Sequence, residues 1–276
     1  MKIRHHLFWA AVLLGGVYLF ATRPVPLETS INTTQYRATI PTAVAFDMLD
    51  QINAAARQLY TSRIVGNGLK AGLKFGEDWA RPDRDKGPLP ALFLRLVAAQ
   101  IEARPPRLGL YLGSDQPINK SNLFEAAEAI AFQSLRLSGQ AIVSFEPASG
   151  AIGLYPDFAN AMACVTCHNE HKDSPKTDWK QGDIMGATTW TYPRKTISRS
   201  EYHDLVEVLF VAIGQSYQGY LDKTASFENP PDVGTNWPLK DQYALPDRPT
   251  FMAELRAATA LNVLTGFVLF DEASDD

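Results

Sequence analysis

Apolar side chains recur every three or four positions from Thr42 to about Leu73: Val44, Met48, Ile52 and Ala55, then Leu59 and Ile64. That period belongs to one face of an α-helix, and Gly66 and Gly68 weaken it toward its end. Asp83 to Pro90 reads as a loop, and Ala91 to Ala103 as a second helix carrying Leu92, Leu94, Leu96 and Val97. Arg107 to Gly113 alternates weakly and predicts a strand, while Asn122 to Leu137, behind a candidate cap at Ser121, predicts a third helix. Ala141 to Phe145 and Ala151 to Tyr155 flank the turn residues Pro147 to Gly150 and predict a strand pair. Phe158, Met162 and Val165 then fall four and three apart, the stripe of a helix that follows Pro156 and takes Asp157 as its candidate N-cap. Ala187 to Tyr192 has strand composition. The sum is an α+β fold, an antiparallel sheet flanked by helices.

After Ser198 the pattern turns helical. Tyr202 to Leu221 carries Leu205, Val208, Leu209 and Ile213, and Met252 to Phe270 is helical again. Between them Glu228 to Pro249 holds five prolines and reads as a connection. The uncharged part of the last helix, Ala257 to Phe270, is 14 residues, too short for a comfortable membrane span, so it is expected to pack on the domain.

The first residues differ from all of this. Lys2 and Arg4 precede an uncharged run of 16 residues from Leu7 to Thr22, near the lower limit for a span. The run ends Tyr-Leu-Phe-Ala-Thr-Arg-Pro, without the alternating small residues of a cleavage site. That favours an uncleaved signal-anchor over a secretory signal. Basic residues on the short side keep residues 1–6 in the cytoplasm. The expected layout is then a transmembrane helix over 7–22, a polar linker over 23–41 with Pro24, Pro26 and Pro41, a sheet domain over 42–198 and a helical C-terminal extension over 199–276. Everything after the helix would lie in the periplasm of a bacterium, anchored to the inner membrane; cleavage would release it into the same compartment.

With 276 residues, 46% of them hydrophobic, and a net charge of −4, the chain can bury one or two cores. Neither a positive excess nor a basic patch interleaved with aromatics points to nucleic acid. Its two cysteines exclude a disulfide framework, and both stand in Cys164-Val-Thr-Cys167-His168. This is the attachment signature of a c-type haem: each thiol adds across a vinyl group, and the adjoining histidine reaches the iron. The three side chains occupy neighbouring positions on little more than one helical turn. One covalent haem c is the implied cofactor, and its attachment outside the bacterial cytoplasm agrees with the anchor. A thioredoxin-like pair would want its first cysteine at a helix N-terminus after a buried strand, whereas here the cysteines fall late in the helical run. Zinc would find four ligands in Cys164, Cys167, His168 and His171, but so short a segment wraps a tetrahedral ion poorly. A disulfide across two residues is strained.

The stretch from Met162 through Cys164, Cys167, His168 and His171, continued by Asp173 to Gly186, resembles the Tll0287-like haem domain family. Gly87-Pro-Leu-Pro-Ala and Gln116-Pro-Ile-Asn-Lys-Ser-Asn are similar to its other recurring pieces, and the likeness runs over roughly residues 40–195. The resemblance implies a PAS-like antiparallel sheet, one covalent haem c with Cys164 and Cys167 as thioether anchors, and His168 as proximal ligand. Many members sit in periplasmic sensor regions. One branch uses a cysteine thiolate on the far face of the haem, and this chain has no third cysteine. Candidates for that sixth position are His203 and Met185, with His171 and Met162 weaker and an open position equally admissible. His5 and His6 border the anchor and are unrelated to the haem. Lys172, Lys176 and Lys180 belong to a solvated loop, from which they could pair with haem propionates.

Three classes of function follow. A sensor would let the haem report redox state or bind a diatomic gas and pass the change to a signalling protein. A carrier would shuttle one electron to a redox partner. An enzyme such as a peroxidase is the weakest, because it needs an acid–base pair over an open haem face and His203 is the only histidine free to serve. The expectation is a membrane-anchored periplasmic haem sensor that is not an enzyme, with one-electron carriage as the alternative.

Overall fold

The computed structural model describes residues 38–235 and 244–270. The expected membrane helix over 7–22 lies outside these, and among the described residues no helix is long and apolar enough to cross a membrane.

Helix α1, Thr42–Leu59, buries Ala45, Phe46, Leu49, Ile52 and Ala56; of the expected stripe Ile52 is among them, while Val44, Met48 and Ala55 lie half-buried at the margin of the same core. It runs on without a break through a π-helical turn, Tyr60–Gly66, into the short α2, Asn67–Lys70. The glycines weakened the pattern without ending the helix. Helix α3, Pro90–Glu102, starts on a proline whose missing N–H costs nothing in the first turn. The third predicted helix starts later than expected. Residues Lys120–Asn122 form a 3-10 turn in which the Ser121 hydroxyl bonds Asn119 Oδ1 at 2.9 Å, so Ser121 is not available as a cap. Helix α4, Ala126–Ser138, follows a cap at Glu125 and ends on Gly139 at φ 69°, where a side chain would be strained.

Four strands make the main sheet: β2 (Gly109–Gly113), β3 (Ile142–Glu146), β4 (Gly150–Phe158) and β5 (Ile184–Tyr192). All neighbours are antiparallel, in the order β2-β5-β4-β3. Strand β4 is longer than predicted. Pro156 and Asp157 do not introduce a helix but lie in the strand, opposite Ala187 and Gly186. Strand β3 ends at Ile142 opposite Leu154, so β4 is an edge beyond that point and tolerates a proline.

Alternation sends Tyr155 and Trp190 toward α1, where they bond Asp47 and Asp50. Leu154 and Ala187 point the other way and pack with Phe132 and Leu135 of α4. Helices therefore cover both faces. The segment after Ser198 is not a separate unit. A short β1 (Thr39–Pro41) pairs with β6 (Thr196–Ser198), leading into α6, Arg199–Thr224, which is capped by Ser198 and Glu201. A parallel pair, β7 (Asp232–Gly234) with β8 (Ala244–Pro246), precedes α7, Arg248–Val268, capped by Asp247. Tyr217, Phe251 and Leu255 from these helices share one core with Phe46, Leu49 and Phe93. Phe251 stacks on Tyr217 at 4.1 Å, which places the last helix on the domain.

Candidate functional site

Strand β4 hands the chain to helix α5, Met162–Glu170, through Ala159 to Ala161. The expected N-cap, Asp157, is instead held in the strand by an ion pair with Arg57 of α1. The helix therefore starts four residues later than Asp157 would have set it, and Cys164 is its third residue. The cysteines are thus early in the helix and not late. Of the expected apolar stripe only Val165 is buried, packed with Ala159 and Trp179. Phe158 and Met162 remain 38% and 57% exposed. Asn169 ties the helix to the loop that follows: its amide donates to the Trp179 carbonyl at 3.0 Å, and its carbonyl accepts the Trp179 N–H at 2.9 Å.

Cys164 is half-buried, Cys167 is exposed, and neither is in a disulfide. Burial, followed by the negative charge of Glu77, pushes the Cys167 thiol up. The His168 ring stands edge-on to Trp179 at 6.5 Å, and its Nδ1 is sealed from solvent with no hydrogen-bond partner. Burial, followed by His171, pushes the His168 imidazole down, so it stays neutral at physiological pH. Neutral imidazole is the form that binds a metal.

These residues fit a c-type haem. Two free thiols and a neutral imidazole lie within little more than one turn of the same helix, Cys164 and His168 four apart and Cys167 between them. Cys164 and Cys167 would hold the group and His168 would ligate it, supplying one-electron redox chemistry when bound. The zinc alternative does not assemble. His171 Nδ1 accepts the Asp173 N–H at 3.2 Å, its Nε2 faces Glu77 at 3.9 Å, and among the described residues no three His, Cys, Asp or Glu side chains are placed to hold an ion.

Of the sixth-ligand candidates, Met185 lies in the cluster that seats this helix, and His203 stands on another helix. Met185, at the start of β5, packs against Ala159, Val165 and Trp179, on the side that carries α5. His203 is exposed in the first turn of α6, beside Asp204 at 3.6 Å and Phe267 at 6.4 Å. That turn follows β6, which pairs with the strand leading into Thr42. Asp157, at the end of the strand that leads into α5, instead pairs with Arg57, about 22 Å along α1 from Thr42 at 1.5 Å per residue. Of the loop lysines, Lys176 pairs with Asp178 and lies 4.8 Å over the Trp179 ring, and Lys172 pairs with Asp173 at 3.4 Å.

A second group of residues was missed by the periodicity reading. Asp47, Asp50, Asn53 and Arg57 repeat at three, three and four along α1. They form a polar seam between the helix and the sheet. Tyr155 donates to Asp47 at 2.6 Å, Trp190 donates to Asp50 at 3.2 Å, and Arg57 pairs with Asp157. Asn53 Oδ1 and Arg57 Nε are buried without partners. Burial drives the Asp50 carboxyl up to about 6, partly offset by the Trp190 bond and by Arg57. The same spacing that revealed the apolar face was there for the polar one.

Among known proteins, the family model described as Tll0287-like matches residues 29–193. No curated protein and no solved structure matches the chain.

Proposed function

The chain belongs to the Tll0287-like family, and on that premise we propose that it is a c-type haem protein that senses redox state or a small ligand through one covalent haem. Cys164 and Cys167 carry the thioether bonds, and His168 is the axial ligand. The observation that supports this most is helix α5 itself, where two free thiols and a neutral imidazole stand within little more than one turn, the imidazole seated on Trp179. The wider setting belongs to the same proposal: a PAS-like sheet, an anchor over residues 7–22 and a periplasmic location. A four-stranded antiparallel main sheet whose first strand, β2, lies beside its last, β5, with helices on both faces supports the PAS-like reading.

Val165, Trp179 and Asn169 fix the helix on the sheet. A change at His168 would therefore be felt at Trp179 and along the loop to β5. One observation favours electron carriage instead. Cys167 is exposed, which would leave the edge of a haem held there open to a redox partner. Absorption spectra of the purified, matured full chain separate the two readings. A ligand sensor binds carbon monoxide when reduced; a redox sensor ignores it but changes conformation on reduction; a carrier does neither. A colourless protein would overturn both.

A further inference from the structure

The polar seam of α1 has no role in holding a haem, yet it runs toward the cysteine that would carry one. Asp47, at one end, is exposed to solvent. Asp50 is turned against Trp190, which is fully buried. Asn53 follows with its carbonyl oxygen sealed and unpartnered. Arg57 closes the seam, paired with Asp157, its Nε likewise sealed and unpartnered. The guanidinium acts on Asp50 along the helix and, through Asp157, is joined to the strand that leads into the helix of Cys164. Dry apolar packing seldom retains such groups on a helix face, because each polar atom without a partner costs roughly 1–3 kcal/mol.

We propose that Asp50 is a proton-binding site coupled to the haem through Arg57, so that electron uptake at the haem is accompanied by proton uptake at Asp50. The inference rests on the haem reading above. In the step, an external one-electron donor reduces ferric iron to ferrous, and the Asp50 carboxylate takes one proton from water to form an O–H bond. The added electron lowers the positive charge near Cys164. The field of the group held at Cys164, added to that of Arg57, is then less positive at Asp50, and the protonated acid is favoured. In a site of low dielectric such coupling is strong.

The charged and titratable groups facing Asp50 agree with this role. Arg57 and Asp47 act on it from α1 itself, Tyr155 faces it from β4, and Asp157 acts through Arg57. From β5 comes the neutral Trp190, and none of the groups acting on Asp50 comes from α3, α6 or α7. Asp50 titrates near neutrality, where a change of one charge moves its occupancy. Asp47, bonded to Tyr155, gives the proton a solvent-facing entrance.

The test is the midpoint potential of the haem-loaded full chain from pH 5 to 8, for wild type, Asp50→Asn and Arg57→Gln. In wild type the potential should fall as pH rises, approaching ~59 mV per tenfold change in proton concentration, the value for one proton per electron. Asp50→Asn keeps an acceptor for Trp190 and should flatten the slope; Arg57→Gln should lower the potential. A purely structural carboxylate would leave the slope unmoved. A flat wild-type profile, or an unchanged slope in Asp50→Asn, overturns the proposal. Should the variants fail to fold, reduced-minus-oxidised infrared spectra of wild type grown with isotope-labelled aspartate decide alone: a label-sensitive protonated-carboxyl band on reduction is expected, and its absence overturns the proposal. A coloured protein with a flat potential sinks only the coupling, whereas a colourless one sinks the haem reading as well.

Discussion

Replacing Asp50 by asparagine should make the protein's stability less dependent on pH, and the structure sets the size of the effect. The Asp50 carboxyl is raised from the ordinary 3.8 to about 6, chiefly because burial disfavours its charged form. The folded protein therefore holds a proton on Asp50 between those values, where the unfolded chain has already released it. Stability from this group is greatest below pH 4 and is lost as pH rises through 6. At ~1.4 kcal/mol for each tenfold displacement, the full loss is about 3 kcal/mol. Asparagine carries no charge to desolvate and still accepts from Trp190, so the variant should gain on wild type as pH rises. Urea unfolding of the oxidised protein at pH 4 and pH 7 measures this directly. The free-energy difference between variant and wild type should move toward the variant by about 2–3 kcal/mol across that window. An equal difference at both pH values would refute the claim that Asp50 is ionised at a desolvation cost.

Other perturbations probe the support around the site. Trp179→Ala removes the ring that His168 and Val165 rest on, and should cost about 3–5 kcal/mol in urea unfolding while shifting the haem absorption; an unshifted spectrum would mean that Trp179 does not position His168. A Cβ at Gly266 would run into the Tyr202 side chain, so Gly266→Ala should lower stability by roughly 1–3 kcal/mol through overpacking of α7 on α6, read as a drop in melting temperature. His203→Ala should leave the spectra of oxidised and reduced protein unchanged, because His203 contacts Asp204 and Phe267 and none of the site residues; a change of spin state would place it on the iron after all.

Local pattern carried the reading of most elements but failed where a distant residue decides. The helices α1 and α3 and the β3–β4 hairpin follow from side-chain period and turn residues alone. Strand β4 does not, because Pro156-Asp157 looks like a helix start until Arg57 pins Asp157 to the sheet. The same shift moved the cysteines from late to early in α5. Ser121 looked like a cap because its competing partner, Asn119, is a turn away on the wrong side. The motif of Cys164, Cys167 and His168 was legible since its three residues are contiguous. The seam of Asp47, Asp50 and Arg57 was not, since a polar stripe on a helix usually faces water. Only the positions of Tyr155 and Trp190 across the interface show that this one faces the sheet. The break in pattern after Ser198 marked a change of structure but not a boundary, as α6 and α7 complete the core begun by α1.

The central claim is a haem bound through two sulfur atoms, and intact-mass measurement of the matured protein under denaturing conditions tests it most directly. Wild type should carry the added mass of one haem and keep its haem stain on a denaturing gel. Cys164→Ser and Cys167→Ser should each retain much less, and the double variant none. A wild-type protein at its bare polypeptide mass, or a double variant that still carries haem covalently, would contradict it.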